Sequence, residues 1–465
     1  MKRILAALMA VLLLLPFAAC TKPAPEPVQN TGSPEQSGEE HGGEEGLTTA
    51  APTAAPTEAP ESHDAFDPET DADNRFANAN GRVIETEDGL YFSSIFYDYL
   101  MFYDYGLEEM IPVCGKPDCE HFKDGNAANI NRDCDAYIKG VRNPTLYEGK
   151  LYYVDDYGKP NPNDNGATLG NMLYRMEPDG TQKEFVMDLF PPEAMDPQFY
   201  VIHRGILYVS CIGSIVTDGE PKYLSSVIAA PLNGSVSDFR VLLELEDAGS
   251  IDFFFVGDDC YMKAKKVEIE YTDLITYDDY IVKSYELIIT RWNSRTEELE
   301  TVFDDCLPDG KYISDIWVTE DGTIYGASME KVYRFEDGGF TELFSFEEPG
   351  FEFTTLHLSD GIVIGRAAAE EDWSYGSVLW WIRRFDGSTL YKGCLSTDWM
   401  DGVEEMFTDF SLIFFEGDET GIYLCAEFDW PVLDKMKKAN RYLLRLDFTE
   451  DGIEEKLLGS LYYER

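Results

Sequence analysis

The sequence predicts an all-β chain: a β-propeller, most simply of seven blades of about four antiparallel strands, carried behind a polar N-terminal tether. Three observations lead there. A short apolar run, centred on tyrosine in six of seven copies, recurs at intervals of about 40 to 65 residues. A second apolar run follows each copy and ends near a turn carrying Gly or Asn. From about Asn74 onward aromatic and β-branched residues dominate, and helical periodicity is scarce.

The chain opens with Met1–Cys20, read as a targeting segment. Lys2 and Arg3 form a positive start, and Ile4–Leu15 is an unbroken apolar run. That run is short of the roughly 20 residues a bilayer span needs, but it suits the core of a signal peptide. It ends in Phe17-Ala18-Ala19-Cys20. Two small residues before a cysteine resemble the lipobox of bacterial lipoproteins, with Phe17 standing where leucine is usual. The resemblance implies that the Cys20 thiol carries a diacylglycerol and that cleavage makes Cys20 the new N-terminus. The chain would then be extracytoplasmic and anchored to the cell membrane by lipid. The alternative is an ordinary secretory signal with an incidental cysteine.

Residues 21–73 read as the tether. They are rich in Pro, Ala, Thr, Glu, Gly and Ser, and they lack the apolar side chains that would offset the entropy of ordering. A flexible chain of this length spans on the order of 40 Å, more where proline stiffens it. Residues 74–465 form the propeller domain. Of the whole chain, 44% is hydrophobic and 14% aromatic, enough for a large core. The net charge is −51, and loss of Lys2 and Arg3 with the leader makes the mature chain more acidic still. Such a field repels phosphate backbones, which excludes nucleic acid as a partner and disfavours direct docking of the folded part on anionic lipid.

The seven signature runs are Leu90-Tyr91-Phe92, Leu151-Tyr152-Tyr153, Leu207-Tyr208-Val209, Cys260-Tyr261-Met262, Ile324-Tyr325-Gly326, Ile362-Val363-Ile364 and Ile422-Tyr423-Leu424. Turns such as Asp88-Gly89, Glu148-Gly149 and Arg204-Gly205 precede them. The partner strands fall near Leu100, Leu173, Val227, Leu287, Val332, Trp380 and Leu443. Reversals such as Pro178-Asp179-Gly180 and Asn233-Gly234 suit antiparallel hairpins, because Gly and Asn take positive φ cheaply. One such unit cannot bury both its faces, so the period implies stacking in a ring. The central aromatics then pack between blades rather than lining a ligand groove. The unit built around Leu173-Tyr174-Arg175-Met176-Glu177-Pro178-Asp179-Gly180 resembles propeller repeats of bacterial surface lipoproteins, and more distantly the TolB-type propeller. The tail Leu461-Tyr462-Tyr463 is expected to close the ring by pairing near Val83-Ile84.

The most distinctive local motif is Cys114-Gly115-Lys116-Pro117-Asp118-Cys119-Glu120-His121, followed by Cys134. It is similar to a motif that recurs in the same lipoprotein propellers. Two readings stand. Three thiolates and an imidazole make a tetrahedral zinc set. Outside the cytosol, two of the three cysteines could instead form a disulfide, and weighing compartment and spacing puts this ahead of zinc, with unpaired thiols as the remaining alternative. His121 taken singly reads as a loop residue. Cys211, Cys260 and Cys425 lie in or beside apolar strands and read as small buried hydrophobes.

No nucleophile elbow, phosphate loop or zinc-protease motif is present, and the acidic pairs are those expected of a chain with 88 acids. His203 and His357 lie beside apolar strands and read as packing residues. Asp67, Asp71, Asp73 and Asn74 offer oxygens but not the spacing of a calcium loop. Trp373, Tyr375 and Trp399 sit in polar stretches, where an aromatic serves recognition or packs its loop on a blade edge. The expected function is a monomeric binding module for an envelope protein or glycan rather than an enzyme. The alternatives are an extracytoplasmic hydrolase or lyase with acids at the channel, or a scaffold in envelope assembly.

Overall fold

The computed structural model describes residues 65–77, 83–94, 97–121, 131–138, 142–155, 159–160, 168–169, 171–189, 196–217, 220–271, 280–305, 313–369, 375–396, 410–428 and 441–461. Cys20, Cys306, Trp373 and Trp399 lie outside them, as does the tail after Leu461.

The described residues form seven four-stranded antiparallel sheets, each a blade. The first holds β1 Val83–Glu85, β2 Gly89–Ser94, β3 Tyr97–Asp104 and β4 Glu109–Pro112. The second holds β5 Arg142–Tyr147, β6 Lys150–Asp155, β9 Met172–Met176 and β10 Glu184–Asp188. A two-stranded ribbon, β7 Lys159–Pro160 and β8 Thr168–Leu169, interrupts it. The third runs β11 Asp196–His203, β12 Ile206–Thr217, β13 Glu220–Pro231 and β14 Arg240–Glu246. The fourth runs β15 Asp252–Val256, β16 Asp259–Tyr271, β17 Tyr280–Asn293 and β18 Leu299–Asp305. The fifth runs β19 Asp315–Val318, β20 Ile324–Ala327, β21 Lys331–Glu336 and β22 Gly339–Ser345. The sixth runs β23 Phe351–Ser359, β24 Ile362–Ala369, β25 Leu379–Arg384 and β26 Thr389–Cys394. The seventh runs β27 Phe410–Asp418, β28 Gly421–Phe428, β29 Arg441–Thr449 and β30 Gly452–Leu461.

Each signature run is the second strand of its blade, and each predicted partner is the third. First strands of successive blades approach one another, as β1 does β5 and β19 does β23, so they form the inner wall of the ring. The central residues of the runs pack between blades as expected. Tyr208 and Val363 are fully buried, and Tyr325 stacks on Phe385 at 4.1 Å between ring centroids. Turns such as Glu148-Gly149, with φ of 47° and 70°, match the right-handed twist of the strands they join. Fourth strands carry the charge: β18 reads Leu-Glu-Thr-Val-Phe-Asp-Asp and is mostly exposed, a sequence that discourages edge-to-edge pairing.

Apolar clusters fill every junction between blades, including that between the seventh and the first. There Val83, Leu90 and Phe92 pack with Tyr423, Cys425 and Leu443. Tyr423 donates a hydrogen bond to Glu85 Oε1 at 2.5 Å across the same junction. Among the described residues the expected tail pairing is not seen, and Tyr462 and Tyr463 lie outside them. Leu461 pairs with Arg441 inside the seventh sheet, and Val83 pairs with Phe92 inside the first. β30 is the outer edge of the seventh sheet and β1 the inner edge of the first, so the two do not lie side by side, and side-chain packing joins the blades at this junction.

Residues 65–77 form a strap over the turns between first and second strands. The backbone N–H of Glu148 donates to Glu69 O, and that of Arg204 to Thr70 O. Asn74 exchanges two hydrogen bonds with the backbone of Phe255. Arg75 reaches Asp418 at 2.5 Å. The second, third, fourth and seventh blades are therefore touched at the same end. The tether expected over 21–73 thus loses its last residues to the ring: Asp71 is held by Arg204 at 2.7 Å, and Ala72 is buried. Composition alone gave no sign of these distant partners.

Candidate functional site

Cys114, Cys119, His121 and Cys134 converge at the outer edge of the first blade. The motif leaves β4 at Val113, whose N–H donates to Leu100 O. The returning segment lays Ala136 O against the N–H of Leu100 and pairs Tyr137 with Tyr99, continuing the edge. Two glycines permit the close approach to the second blade. A Cβ on Gly115 would stand 2.1 Å from Thr181 Cγ2, and one on Gly180 would stand 2.4 Å from Val113 O at φ +84°. The Tyr99 hydroxyl accepts from Asn131 N at 3.0 Å and lies 2.6 Å from His121 O, tying both ends of the loop to β3.

One ligand atom from each of the four residues lies within 4.8 Å of every other. His121 Nδ1 stands 3.4 Å from Cys134 Sγ. The three cysteines are free thiols, so no two of them are joined, and His121 is a member of the cluster rather than a separate loop residue. Cys134 is buried; Cys114 and Cys119 are half-buried. Burial raises the Cys134 thiol to about 12, its neighbours Cys114 and Cys119 adding to that effect. Lys116 lies 2.8 Å from Asp135 beside the thiols.

A second constellation occupies the inner wall, built from residues with no motif between them. Lys263 sits 2.7 Å from Asp252 and 3.5 Å from Asp315. Asp315 in turn lies 3.0 Å from His357 Nδ1, and His357 Nε2 lies 2.9 Å from Glu416. The N–H of Leu358 donates to Asp315 at 2.9 Å. Four successive blades are linked in this way. Burial alone would lower the His357 pKa, but the charges of Glu416 and Asp315 outweigh it and hold it up to about 10. The imidazole is therefore protonated at neutral pH, a donor to two carboxylates and no packing residue. Lys265, near Lys263, is pushed down to about 8, by burial first and by the Lys263 charge second. Sequence reasoning missed this network, whose members lie 11 to 59 positions apart.

His203 matches the packing expectation. It is buried, accepts from Ala72 N at Nδ1, and donates through Nε2 to Gly257 O at 2.7 Å. Burial lowers its pKa, in keeping with the neutral form. Cys211, Cys260 and Cys425 are buried as expected, and Cys394 is exposed. The oxygens of Asp71 and Asp73 are engaged by Arg204 and Arg75 rather than arranged around a cation.

Trp373 and Trp399 lie outside the described residues, and of Tyr375 only the backbone is placed, in a single turn. The strands flanking them fix where their connections leave the ring. Leu379 pairs with Ala367 on one side and Cys394 on the other. The connection holding Trp373 and the start of the one holding Trp399 thus emerge at the same end of the sixth blade. The turn at Asp360-Gly361 is at the opposite end, the end over which the strap runs.

No known family model matches the chain, and no curated protein matches it. Solved structures do resemble it in fold. Oligogalacturonate lyase in complex with manganese has a TM-score of 0.43 at 12% identity, over 82% of this chain and 89% of that one. The β-propeller domain of the Trilobed protease from Pyrococcus furiosus has a TM-score of 0.39 at 11% identity, over 82% and 97%. The acylaminoacyl peptidase of Pyrococcus horikoshii gives 0.37 at 11% identity, over 84% of this chain; the match spans about half, 54%, of the peptidase.

Proposed function

We propose that the chain is a lipid-anchored, extracytoplasmic binding module, attached through Cys20 and presenting the ring face away from the strap to an envelope protein or glycan. The observation that carries this reading is the polarity of the ring. The N-terminal segment joins it at the end where first and second strands turn, since residues 69–75 are held there. By the register of the sixth blade, β24 ends, β25 begins and β26 ends at the other end of the ring, and the stretches holding Trp373 and Trp399 follow β24 and β26 in sequence. A tethered ring of this kind leaves the tryptophan-bearing face free for a partner. Tryptophan offers a large, rigid apolar surface with one polar edge, suited to sugars and peptides.

The test is equilibrium binding of the full chain, in detergent, to isolated cell-wall polysaccharide and to purified envelope proteins. Replacing Trp373 and Trp399 by alanine together is expected to weaken binding by about 10-fold or more, as loss of hot-spot aromatics does, while leaving the melting temperature in place. Binding that ignores both substitutions, or turnover of a glycan without stable binding, contradicts the reading. A hydrolase or lyase is the second reading. It is favoured by the pair of carboxylates on the inner wall, Asp315 and Glu416. The proton held on His357 between them leaves that imidazole unable to serve as a base at neutral pH.

A further inference from the structure

We propose that Cys114, Cys119, His121 and Cys134 bind one zinc ion in a closed structural site that fastens the connection between the first and second blades. A tetrahedral zinc with Zn–S of about 2.3 Å and Zn–N of about 2.0–2.1 Å sets its ligand atoms roughly 3.5–3.8 Å apart. The four ligand atoms here lie within 4.8 Å of one another, and His121 Nδ1 stands 3.4 Å from Cys134 Sγ. A disulfide would need sulfurs at about 2.05 Å, and the three sulfurs stand free. The atoms are thus gathered at the spacing of a shared ion, without a bond between any two.

The donor set selects the metal. Three sulfurs and one imidazole suit a thiophilic cation and not calcium or magnesium, which take oxygen. Four protein ligands complete a tetrahedron and leave no position for a reacting water, so the ion is structural rather than catalytic.

The surroundings are those of a ligand shell. Backbone N–H groups of Lys116 and Asp135 point to the Cys114 sulfur, and that of Ala136 to the Cys134 sulfur. Asn131 Nδ2 donates to Cys119 Sγ at 3.7 Å and is oriented by Glu120 O at 2.8 Å. Such donors stabilise thiolates. Binding requires the three thiols in the deprotonated form, so it releases protons, and three thiolates with Zn2+ leave one net negative charge. Lys116 and Asp135, paired with each other at 2.8 Å, lie beside the site. The described residues of this connection contain no strand of their own beyond the bridge at Tyr137. Metal ligation supplies what local secondary structure does not.

The experiment is metal analysis and thiol mapping of the full chain purified in detergent without chelator. One zinc per chain and no disulfide among the three cysteines is the expected result. Cobalt exchanged into the chain should show the strong sulfur-to-metal charge-transfer and tetrahedral ligand-field bands of a thiolate-rich site. Asn131→Ala, which removes the donor to the Cys119 sulfur, should weaken zinc binding roughly 10–100-fold, and Cys119→Ser should weaken it further. If Cys119→Ser fails to fold, Asn131→Ala and the cobalt spectrum still decide. A disulfide between any two of Cys114, Cys119 and Cys134 in the isolated chain overturns the proposal. So does a reduced chain that takes up no stoichiometric zinc, or cobalt spectra without sulfur ligation.

Discussion

Replacing His357 by asparagine is expected to lower the stability of the ring by about 2–4 kcal/mol, within the range for breaking one partner out of a buried ion pair once partial solvent access is allowed for. His357 keeps 26% of its side chain accessible, so the effect falls short of a fully buried case. The imidazolium lies between Asp315 at 3.0 Å and Glu416 at 2.9 Å. Asparagine fills a similar space but brings no charge, leaving Glu416 without its charged partner and Asp315 with Lys263 and the Leu358 N–H.

The same pair predicts a pH dependence of definite sign. The folded pKa of His357 is raised to about 10 from an ordinary value of 6.5. Its stabilisation is complete below pH 6.5 and is lost as pH rises toward 10, at up to about 1.4 kcal/mol per pH unit. Lys265, lowered to about 8, acts in the opposite direction between pH 8 and 10.5. The window from pH 6.5 to 8 therefore isolates the histidine. Urea denaturation across that window should show the wild type losing stability relative to the His357→Asn variant. A constant difference between the two would show that the imidazole is neutral in the folded ring.

Trp380→Ala is expected to cost about 3–5 kcal/mol, the range for deleting a buried large aromatic. Trp380 is fully buried in the cluster between the sixth and seventh blades, with Ile364, Ile382, Leu424 and Leu444. Its indole Nε1 is buried without a hydrogen-bond partner, and the Arg366 guanidinium stands 5.8 Å from its ring centre and 4.7 Å from that of Phe415. Trp380→Phe keeps most of the apolar contact and removes the unpaired donor, so it should cost only about 1 kcal/mol. Thermal unfolding of the two variants checks this. Equal losses would mean that the indole nitrogen makes a bond with water or backbone that the packing conceals.

The repeat was legible in the sequence because its signal lies in the most buried strand. Second strands are packed on both sides, so Leu151-Tyr152-Tyr153 and its relatives keep an apolar triplet that stands out from the background. First strands are apolar too, as Phe253-Phe254-Phe255-Val256 in β15 is, but they share no common triplet that marks a repeat. β19, Asp315–Val318, is four residues long, too short to stand out by periodicity. The neighbour of Leu461 was not legible for a related reason: pattern identifies a strand but not its place in a sheet, and β30 proves to be the outer edge of the seventh blade while β1 is the inner edge of the first. The cysteine and histidine motif was visible because Cys114, Cys119 and His121 are close in sequence, whereas the choice between disulfide and shared cation rests on interatomic distances. The Lys263–Asp315–His357–Glu416 wall was invisible, since each member comes from a different blade and only the ring brings them together. The strap hid in the same way, its polar residues resembling linker until Arg204 and Asn74 found their partners.

Hydrogen–deuterium exchange of the full chain, with and without saturating isolated cell-wall polysaccharide or a purified envelope protein that it binds, tests most directly whether the face away from the strap is the binding face. The account predicts added protection at the ends of the sixth blade around Ala367, Leu379 and Cys394, with none at the strap over residues 65–77. Protection confined to the strap, or to the inner wall around His357, would contradict it.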